Sequence, residues 1–158
     1  MSKELSGAKE FWSWIKKQLD LNTNASQSRN LLVKRGEVYW CEFGLNIGSE
    51  MSKSGPRPAV IVQNNPGNRS SPNTIVVPVT HDTGAQYFLV PIAAQHRPDG
   101  SVLLDGNVNV SNIVCISKAR LTRRITQLPN AEMRKIDSAL ARLLSILPQR
   151  PAPPQNTP

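Results

Sequence analysis

Short runs of β-branched and aromatic residues follow one another through the middle of this chain, with no helical pattern between them. Gly, Pro, Ser and Asn separate the runs, as expected of turns. The runs cover residues 33–43, 58–64, 74–80, 87–92, 101–104, 108–110, 113–116 and 121–128. Many short strands at close spacing favour a small barrel over a parallel sheet, because parallel strands need long crossover connections.

The composition of individual segments refines this strand series. The run at 58–64 is nearly all apolar, which is typical of a strand covered on both faces. Residues 65–73 (N-P-G-N-R-S-S-P-N) predict a turn region. The D-G pair at 105–106 stands between two short apolar runs and predicts a hairpin that joins residues 101–104 to residues 108–110.

A helical pattern precedes the strand series. Phe11, Ile15 and Leu19 recur at intervals of four and predict an amphipathic helix over residues 9–21. The polar segment 22–30 (N-T-N-A-S-Q-S-R-N) predicts a flexible linker without a core. We therefore expect the helix to be an appendage that packs on the domain or on a partner. Binding to a membrane surface is the alternative for this mixture of Trp and Lys.

A second helix is predicted after the last strand. Asn130 can cap it by accepting hydrogen bonds from the free amides of the first turn. One apolar face then consists of Met133, Ile136, Leu140, Leu143, Leu144 and Leu147. Pro148 is expected to end the helix. We expect a helical extension and linker at 1–30, one folded domain at 31–148, and a disordered, proline-rich tail at 149–158.

Positive charge exceeds negative charge in this chain of 158 residues, with a formal net charge of +8 and a sequence pI of about 10.0. Such an excess favours a polyanionic partner, either nucleic acid or an acidic protein. The alternative is a basic surface that serves solubility alone. One cluster of basic residues consists of Lys118, Arg120, Arg123 and Arg124.

Cysteine and histidine usage indicates a reduced protein without a metal site. Cys41 and Cys115 lie in β-type runs and form no C-x-x-C pair, so we expect both to be buried and reduced, as in a cytoplasmic protein. His81 and His96 do not have zinc-motif spacing, and no metal or cofactor is predicted. No apolar run reaches the roughly 18 residues of a membrane span, and the N-terminal segment is not a signal peptide.

Arg57 and Thr80 are the candidate chemical groups, because they stand at the ends of two β-type runs that neighbouring strands would bring to one pocket. A guanidinium presents a planar, permanently charged fork to phosphate oxygens, and a hydroxyl can donate a hydrogen bond to them. Such a pair can support phosphodiester cleavage without a metal. The alternative for Arg57 is a salt bridge with Glu50 or Glu42, and for Thr80 a hydrogen bond within its own turn.

The chain resembles the MazF/PemK family of bacterial toxin ribonucleases in an ordered series of motifs between residues 33 and 147. These motifs are R-G-E-V-Y-W, G-S-E, R-P-A-V-I-V-Q-N, G-N and S-P-N-T-I-V-V-P-V-T. The resemblance implies an α+β, mostly β fold: a small SH3-like β-barrel with a C-terminal amphipathic helix, to which this chain adds an N-terminal helix. It also implies a cytoplasmic homodimer with an RNA groove across the dimer interface, where an acidic antitoxin protein also binds.

The family implies metal-independent, sequence-selective cleavage of single-stranded RNA, especially mRNA, to 2′,3′-cyclic phosphate and 5′-hydroxyl ends. Its catalytic arginine and threonine match Arg57 and Thr80. Two alternatives to this endoribonuclease are non-enzymatic. One is a barrel that binds a protein target, like the gyrase-poisoning toxin of the same superfamily, and the other is a barrel that binds RNA without cleaving it.

The predicted RNA contacts are Ser49, Glu50, Lys53, His81 and Asn112. The first three lie in the loop at 44–56, which borders the RNA groove in the family. Consecutive strand residues point to opposite faces, so His81 should face away from Thr80 unless a turn intervenes, and its use as general base is the alternative role. Asn112 stands where relatives often carry glutamine. Val114 stands where they often carry arginine, so a phosphate contact is expected to be lost or moved.

Overall fold

Strands and helices are joined by short connections in the computed structural model, which describes residues 2–47, 50, 55–84 and 86–146. In this part of the chain the strands are β1 (Glu37–Cys41), β2 (Arg57–Ile61), β3 (Asn73–Thr80), β4 (Leu89–Pro91), β5 (Gln95–His96), β6 (Val102–Leu104), β7 (Asn107–Asn109), β8 (Val114–Ser117) and β9 (Leu121–Gln127). The helices are α1 (Ser2–Thr23), α2 (Ala25–Ser28), α3 (Asn65–Ser70) and α4 (Asn130–Leu143).

The main sheet is antiparallel and has the strand order β4-β7-β3-β2-β1-β9. The long strand β3 serves two neighbours on one edge, pairing with β8 through its first half and with β7 through its last two residues. Strands β5 and β6 form a separate two-stranded hairpin. The mostly β, α+β class predicted from the sequence is confirmed. Among the described residues the strand order is open, from β4 to β9, instead of a closed ring.

The core lies on both faces of the central strands. On one face Val60 and Val77 pack in a cluster that α4 covers with Met133, Ile136 and Leu140. On the other face Ala59, Ile61 and Val76 pack against residues of β1, β8 and β9. The side chains alternate in this way because successive strand residues point to opposite faces. The apolar run at 58–64 therefore predicted burial on both faces correctly.

The end of α4 differs from the sequence prediction. The helix finishes at Leu143, and Ser145 takes a positive φ of 54° immediately after it. Leu144 is consequently half exposed, although the periodicity assigned it to the buried face. Pro129, not Asn130, occupies the N-cap position, and no side chain caps the helix there. Leu147, Pro148 and the predicted tail lie outside the described residues.

The predicted hairpin at Asp105–Gly106 is wrong. β6 pairs with β5, and β7 pairs with β3 and β4, so the D-G pair connects two different sheets. Gly106 has a φ of 107°, and a Cβ at this position would lie 2.5 Å from the Thr80 carbonyl oxygen. The D-G pair therefore makes a tight corner beside β3, because glycine alone permits this backbone conformation and this close approach.

Two segments predicted to lack regular structure are helical. In the predicted turn region at 65–73, α3 forms because the Asn64 side chain accepts a hydrogen bond from the Gly67 N–H (2.8 Å) and Pro66 suits a first helical turn. In the predicted linker at 22–30, α1 continues to Thr23 and α2 follows it. Both were missed because local capping and tertiary packing outweigh a turn-like composition.

The N-terminal helix is docked on the sheet. The Trp14 ring lies over Gly44 and against the Arg120 guanidinium, whose carbon is 5.4 Å from the ring centroid. Lys17 forms a 3.2 Å salt bridge with Glu42. The same helix exposes other large apolar residues, namely Phe11, Trp12 and Leu19. None of the helices in the described part is both long and apolar enough to cross a membrane.

Two predictions about burial need correction. Cys41 is buried as expected, but Cys115 is exposed, because the face of β8 that carries it is not covered. Lys118 belongs to the predicted basic cluster, yet it is only 2% exposed, and its Nζ donates a 2.6 Å hydrogen bond to the Asn68 carbonyl oxygen. Its ammonium group therefore binds the last turn of α3 and does not contribute to the basic surface.

Candidate functional site

Arg57 and Thr80 meet through the pairing of β2 and β3. The register joins Ala59 to Pro78 and Val60 to Val77, and extending it by two residues puts Arg57 opposite Thr80. Both residues line one pocket of about 560 Å³. The expectation that neighbouring strands bring these two side chains together is thus met by the geometry.

The walls of this pocket come from elements that are distant in sequence. β2 and β3 supply one side, Trp40 of β1 another, and residues 102–105 on and after β6 a third. The charged or titratable residues in the lining are Arg57, Arg97, His81, Asp82 and Asp105. Two permanent cations thus stand with two carboxylates and an imidazole, a set that can bind an anion and exchange a proton. Within the described residues, no three His, Cys, Asp or Glu side chains cluster suitably for a metal ion.

In the part of the chain that the structure describes, the Arg57 guanidinium forms no ion pair with a carboxylate. Its Nε is buried and has no hydrogen-bond partner among the described residues. The two carboxylates that the sequence offered as salt-bridge partners are engaged elsewhere. Glu42 pairs with Lys17, and a Glu50 carboxylate oxygen accepts a hydrogen bond from the Ile47 N–H. An unsatisfied buried guanidinium nitrogen is costly, so a ligand that accepts its hydrogen bond gains affinity.

Thr80 is held by the turn that follows its strand. It is only 5% exposed, and its hydroxyl donates to an Asp82 carboxylate oxygen over 2.8 Å. The Asp82 N–H donates back to the Thr80 Oγ1 over 3.2 Å, and the Asn107 amide donates to the Asp82 carbonyl oxygen over 2.8 Å. The alternative predicted for Thr80, a bond within its own turn, is therefore realised, yet Thr80 still lines the pocket.

His81 lies at the same pocket as Thr80. Strand β3 ends at Thr80, so the alternation of side chains that would turn His81 away does not extend to it. The exposed imidazole is fixed by a contact of 2.9 Å between its Nε2 and an Asp105 carboxylate oxygen. The chain thus leaves the strand conformation between Thr80 and His81, and both side chains can line the pocket.

Four aromatic or charged residues of the pocket were not predicted as site residues from the sequence, namely Trp40, Asp82, Arg97 and Asp105. Arg97 begins the turn R-P-D-G between β5 and β6, and Asp105 follows β6. The turn motif was visible in the sequence, but the predicted D-G hairpin put residues 101–104 beside the wrong strand. Only the correct pairing of β6 with β5 brings Arg97 to the wall beside Arg57.

Two of the other predicted RNA contacts, Glu50 and Asn112, are described by the structure and lie outside this pocket. Glu50 and Asn112 line a second pocket of about 340 Å³, together with Val114, the residue that replaces the expected arginine. Val114 is 37% exposed there. Ser49 and Lys53 lie outside the described residues. Within one chain the predicted set is thus divided between two pockets.

Comparisons with known proteins agree on one family. Residues 34–144 match the family of PemK-like, MazF-like toxins of type II toxin-antitoxin systems. The chain is 33% identical over 117 residues to the endoribonuclease EndoA of Bacillus subtilis, covering 74% of this chain and 98% of that protein. It is 30% identical over 121 residues to the endoribonuclease MazF6 of Mycobacterium tuberculosis, covering 73% of this chain and all of that one.

Solved structures are similar as well. A mycobacterial endoribonuclease, determined in complex with its cognate antitoxin, is 30% identical with a TM-score of 0.61, over 75% of this chain and 99% of that chain. MazF from Deinococcus radiodurans has the same fold at a TM-score of 0.62, with 20% identity over 73% of this chain and 98% of that chain. The chain belongs to the PemK-like, MazF-like family of toxins of type II toxin-antitoxin systems.

Proposed function

We propose that this protein is a toxin that cleaves single-stranded RNA in the pocket of Arg57 and Thr80. The observation that carries the proposal is the buried Arg57 Nε, which lacks a partner among the described residues in a pocket that it shares with a hydroxyl and an imidazole. The relatives in Bacillus and Mycobacterium are endoribonucleases, and they align over nearly their whole length. The excess of positive charge fits a polyanionic substrate.

The proposed reaction is a transesterification that needs no metal. The 2′-oxygen of RNA attacks the adjacent phosphorus, the bond to the 5′-oxygen breaks, and a 2′,3′-cyclic phosphate and a 5′-hydroxyl result. Arg57 stabilises the negative charge that develops on the non-bridging oxygens. Thr80 donates a hydrogen bond to one of these oxygens after its hydroxyl leaves Asp82. Arginine does not act as the base, because it stays protonated.

The 2′-hydroxyl proton needs an acceptor, and the leaving 5′-oxygen needs a proton. Three side chains in the pocket belong to types that serve as general bases, namely His81, Asp82 and Asp105. We assign His81 to RNA contact, as the resemblance predicts, and propose that Asp82 takes the proton, because it already lies 2.8 Å from the Thr80 hydroxyl that orients the phosphate. The protonated Asp82, or water, then returns a proton to the 5′-oxygen.

The proposal is tested with purified protein, a long RNA of mixed sequence and excess EDTA, followed by mapping of the cut ends. We expect discrete cuts that end in cyclic phosphate. Arg57→Ala should abolish them, and Arg57→Lys should restore little, because lysine lacks the planar fork. Arg69→Ala is the matched control, since Arg69 is an exposed arginine of α3, outside both the pocket and the basic cluster. RNA that is bound but never cut would favour the non-cleaving alternative, and Arg57→Ala that cuts normally would refute the assigned role.

The partners follow from the same family. We propose a cytoplasmic homodimer that binds an acidic antitoxin, whose negative charge complements the net charge of +8. Ser49, Glu50, Lys53 and Asn112 are proposed to contact RNA outside the cleavage pocket and to set the base preference. Size-exclusion chromatography with light scattering tests the dimer, and a mass of one chain at micromolar concentration would exclude it.

A further inference from the structure

We propose that Arg97 binds a backbone phosphate of the RNA that occupies the Arg57 pocket. This inference rests on the proposed function of the pocket. Arg97 is not part of any motif recognised in the sequence, and it reaches the pocket from a hairpin that stands apart from the main sheet. Four observations support the assignment: the geometry of its turn, the way its guanidinium is held, the charge of the pocket and the anchoring of the hairpin.

The turn fixes the backbone position of Arg97. The Gly100 N–H donates to the Arg97 carbonyl oxygen over 2.9 Å, and the Arg97 N–H donates to the Ser101 carbonyl oxygen over 2.8 Å. Pro98 restricts the second position, and Gly100 takes a φ of 82°. These features make a closed four-residue turn. Arg97 therefore leaves the backbone from a defined position, which lowers the entropy cost of binding a ligand.

The guanidinium is held at one end and open at the other. Its Nη1 donates to the Ser101 hydroxyl over 3.1 Å and to the Val102 carbonyl oxygen over 2.8 Å. The Ser101 hydroxyl is itself oriented by donating to an Asp99 carboxylate oxygen over 2.6 Å. No hydrogen bond or ion pair within the described residues uses the Arg97 Nε or Nη2. The exposed side chain thus keeps donors for a phosphate while two neutral acceptors position it.

The charge of the pocket favours a second cation. Arg57 and Arg97 balance Asp82 and Asp105, the two carboxylates in the lining. Without Arg97 one arginine would face two carboxylates, and a polyanionic RNA strand would be repelled whenever His81 is neutral. Arg57 contributes to the bond-breaking step, and Arg97 is the other arginine in the described lining that can hold a second phosphate.

The hairpin that carries Arg97 is attached to the domain at two points. Leu104 of β6 is buried in the main core. The Thr126 hydroxyl of β9 donates to the Gln95 side-chain oxygen over 2.5 Å. A residue mounted on an anchored hairpin can hold a phosphate in register with the cleavage groups.

The test compares Arg97→Ala, Arg97→Lys and the control Arg69→Ala, each checked for native folding by circular dichroism. Binding is measured at several salt concentrations with an RNA oligonucleotide that carries 2′-deoxyribose at the mapped cut site and therefore cannot be cleaved. We expect Arg97→Ala to weaken binding about tenfold and to lower the slope of log affinity against log salt by about 0.7, the value for one phosphate contact on a single strand. Arg97→Lys should keep the slope and part of the affinity.

Cleavage kinetics with the ribose form of the oligonucleotide supply the second measurement. Arg97→Ala should raise KM about tenfold and change kcat less than about threefold, because phosphate binding is equal in ground state and transition state. Affinity, salt slope and KM of Arg97→Ala equal to those of Arg69→Ala would overturn the inference. That result together with normal wild-type cleavage refutes only the role of Arg97. A wild-type protein that never cleaves RNA refutes the proposed function, and the same binding measurement with an unmodified RNA oligonucleotide then still decides whether Arg97 contacts RNA.

Discussion

The Thr80 hydroxyl donates a hydrogen bond to the Asp82 carboxylate over 2.8 Å, immediately after β3 ends. This contact keeps the hydroxyl beside an anion in the absence of RNA. A phosphate oxygen has to compete with that carboxylate for the hydrogen bond from Thr80. Arg57 favours the phosphate in this competition, because it attracts the phosphate towards Thr80. The pair therefore couples the orientation of the hydroxyl to the arrival of substrate.

Removal of the Thr80 hydroxyl should slow cleavage and leave the fold intact. We expect Thr80→Val to lower kcat by about 10²–10³, the usual loss for one donor to a developing negative charge. Thr80→Ser keeps the hydroxyl and should retain activity within about tenfold. Single-turnover cleavage of the mapped RNA measures both variants. Wild-type rates in Thr80→Val would show that the hydroxyl makes no contact in the transition state.

His81 should affect RNA binding more than chemistry. Its imidazole is exposed at the rim and contacts Asp105 over 2.9 Å. We expect His81→Gln to raise KM by roughly threefold to tenfold, because glutamine preserves only part of the hydrogen bonding to RNA. The pH profile of kcat should not change, because in the proposed mechanism His81 exchanges no proton. In contrast, Asp82→Asn should lower kcat strongly. A large loss of kcat in His81→Gln, with the loss of one limb of the profile, would identify His81 as the base.

Two tryptophans on α1 provide a matched pair for the docking of that helix. Trp14 lies on Gly44 and Arg120, whereas Trp12 is 67% exposed. We expect Trp14→Ala to lower the free energy of unfolding by about 1–2 kcal/mol, through lost apolar burial and a lost cation–π contact. Trp12→Ala should change it by less than about 0.5 kcal/mol. Urea unfolding measures both, and equal effects would mean that α1 is not docked through Trp14.

Lys118 should matter for stability and not for RNA binding. It is buried, and its burial lowers the pKa of its ammonium group. Lys118→Ala removes the hydrogen bond to the Asn68 carbonyl oxygen and should cost about 1.5–3 kcal/mol in the free energy of unfolding. The salt dependence of RNA binding should be that of the wild type. A reduced salt slope in this variant would show that Lys118 contributes to RNA binding after all.

The two cysteines should differ in reactivity. Burial raises the pKa of the Cys41 thiol to about 12, whereas Cys115 is exposed. A thiol reagent should label one cysteine per native chain and two after unfolding. Mass spectrometry of the labelled peptides identifies the residue, and rapid labelling of Cys41 in the native protein would contradict its burial.

The raised pKa of Cys41 also has a consequence for stability at high pH. Above the ordinary thiol value of 9.0, the unfolded chain loses the proton while the folded chain keeps it until pH about 12. The contribution of Cys41 to stability is therefore complete below pH 9 and declines by up to about 1.4 kcal/mol per pH unit above it. Cys41→Val should reduce this alkaline decline in thermal melts. Cys115→Ser, the control, should leave it unchanged.

Local patterns anticipated much of the fold. The apolar run that became β2 was correctly assigned to a strand buried on both faces, and the periodic residues Met133, Ile136 and Leu140 do face the core. Patterns of this kind succeed because burial selects side chains of one type at regular intervals. Arg57 and Thr80 could also be identified from the sequence, since each stands at the end of a clear β-type run.

Other features depended on contacts that no local pattern encodes. The D-G pair became a corner against the Thr80 carbonyl, and the basic residue Lys118 was buried by α3. A turn motif specifies its own backbone, but it does not specify which strands lie on either side. Likewise, the residues next to a lysine in the sequence do not show whether the fold will place a buried carbonyl oxygen within reach of its ammonium group.

The sequence by itself determined the strand-rich class, the apolar faces, the family motifs and the chemical groups available for phosphate binding. The tertiary structure alone decided that Arg97, Trp40 and Asp105 share a pocket with Arg57, and that the Glu50 and Asn112 contacts belong to another. The physical reason is that strand pairing joins residues far apart in the chain. The strand pairing that forms is the one that buries the apolar residues of both core faces. That burial is summed over many residues, so no single segment of the sequence reveals the pairing.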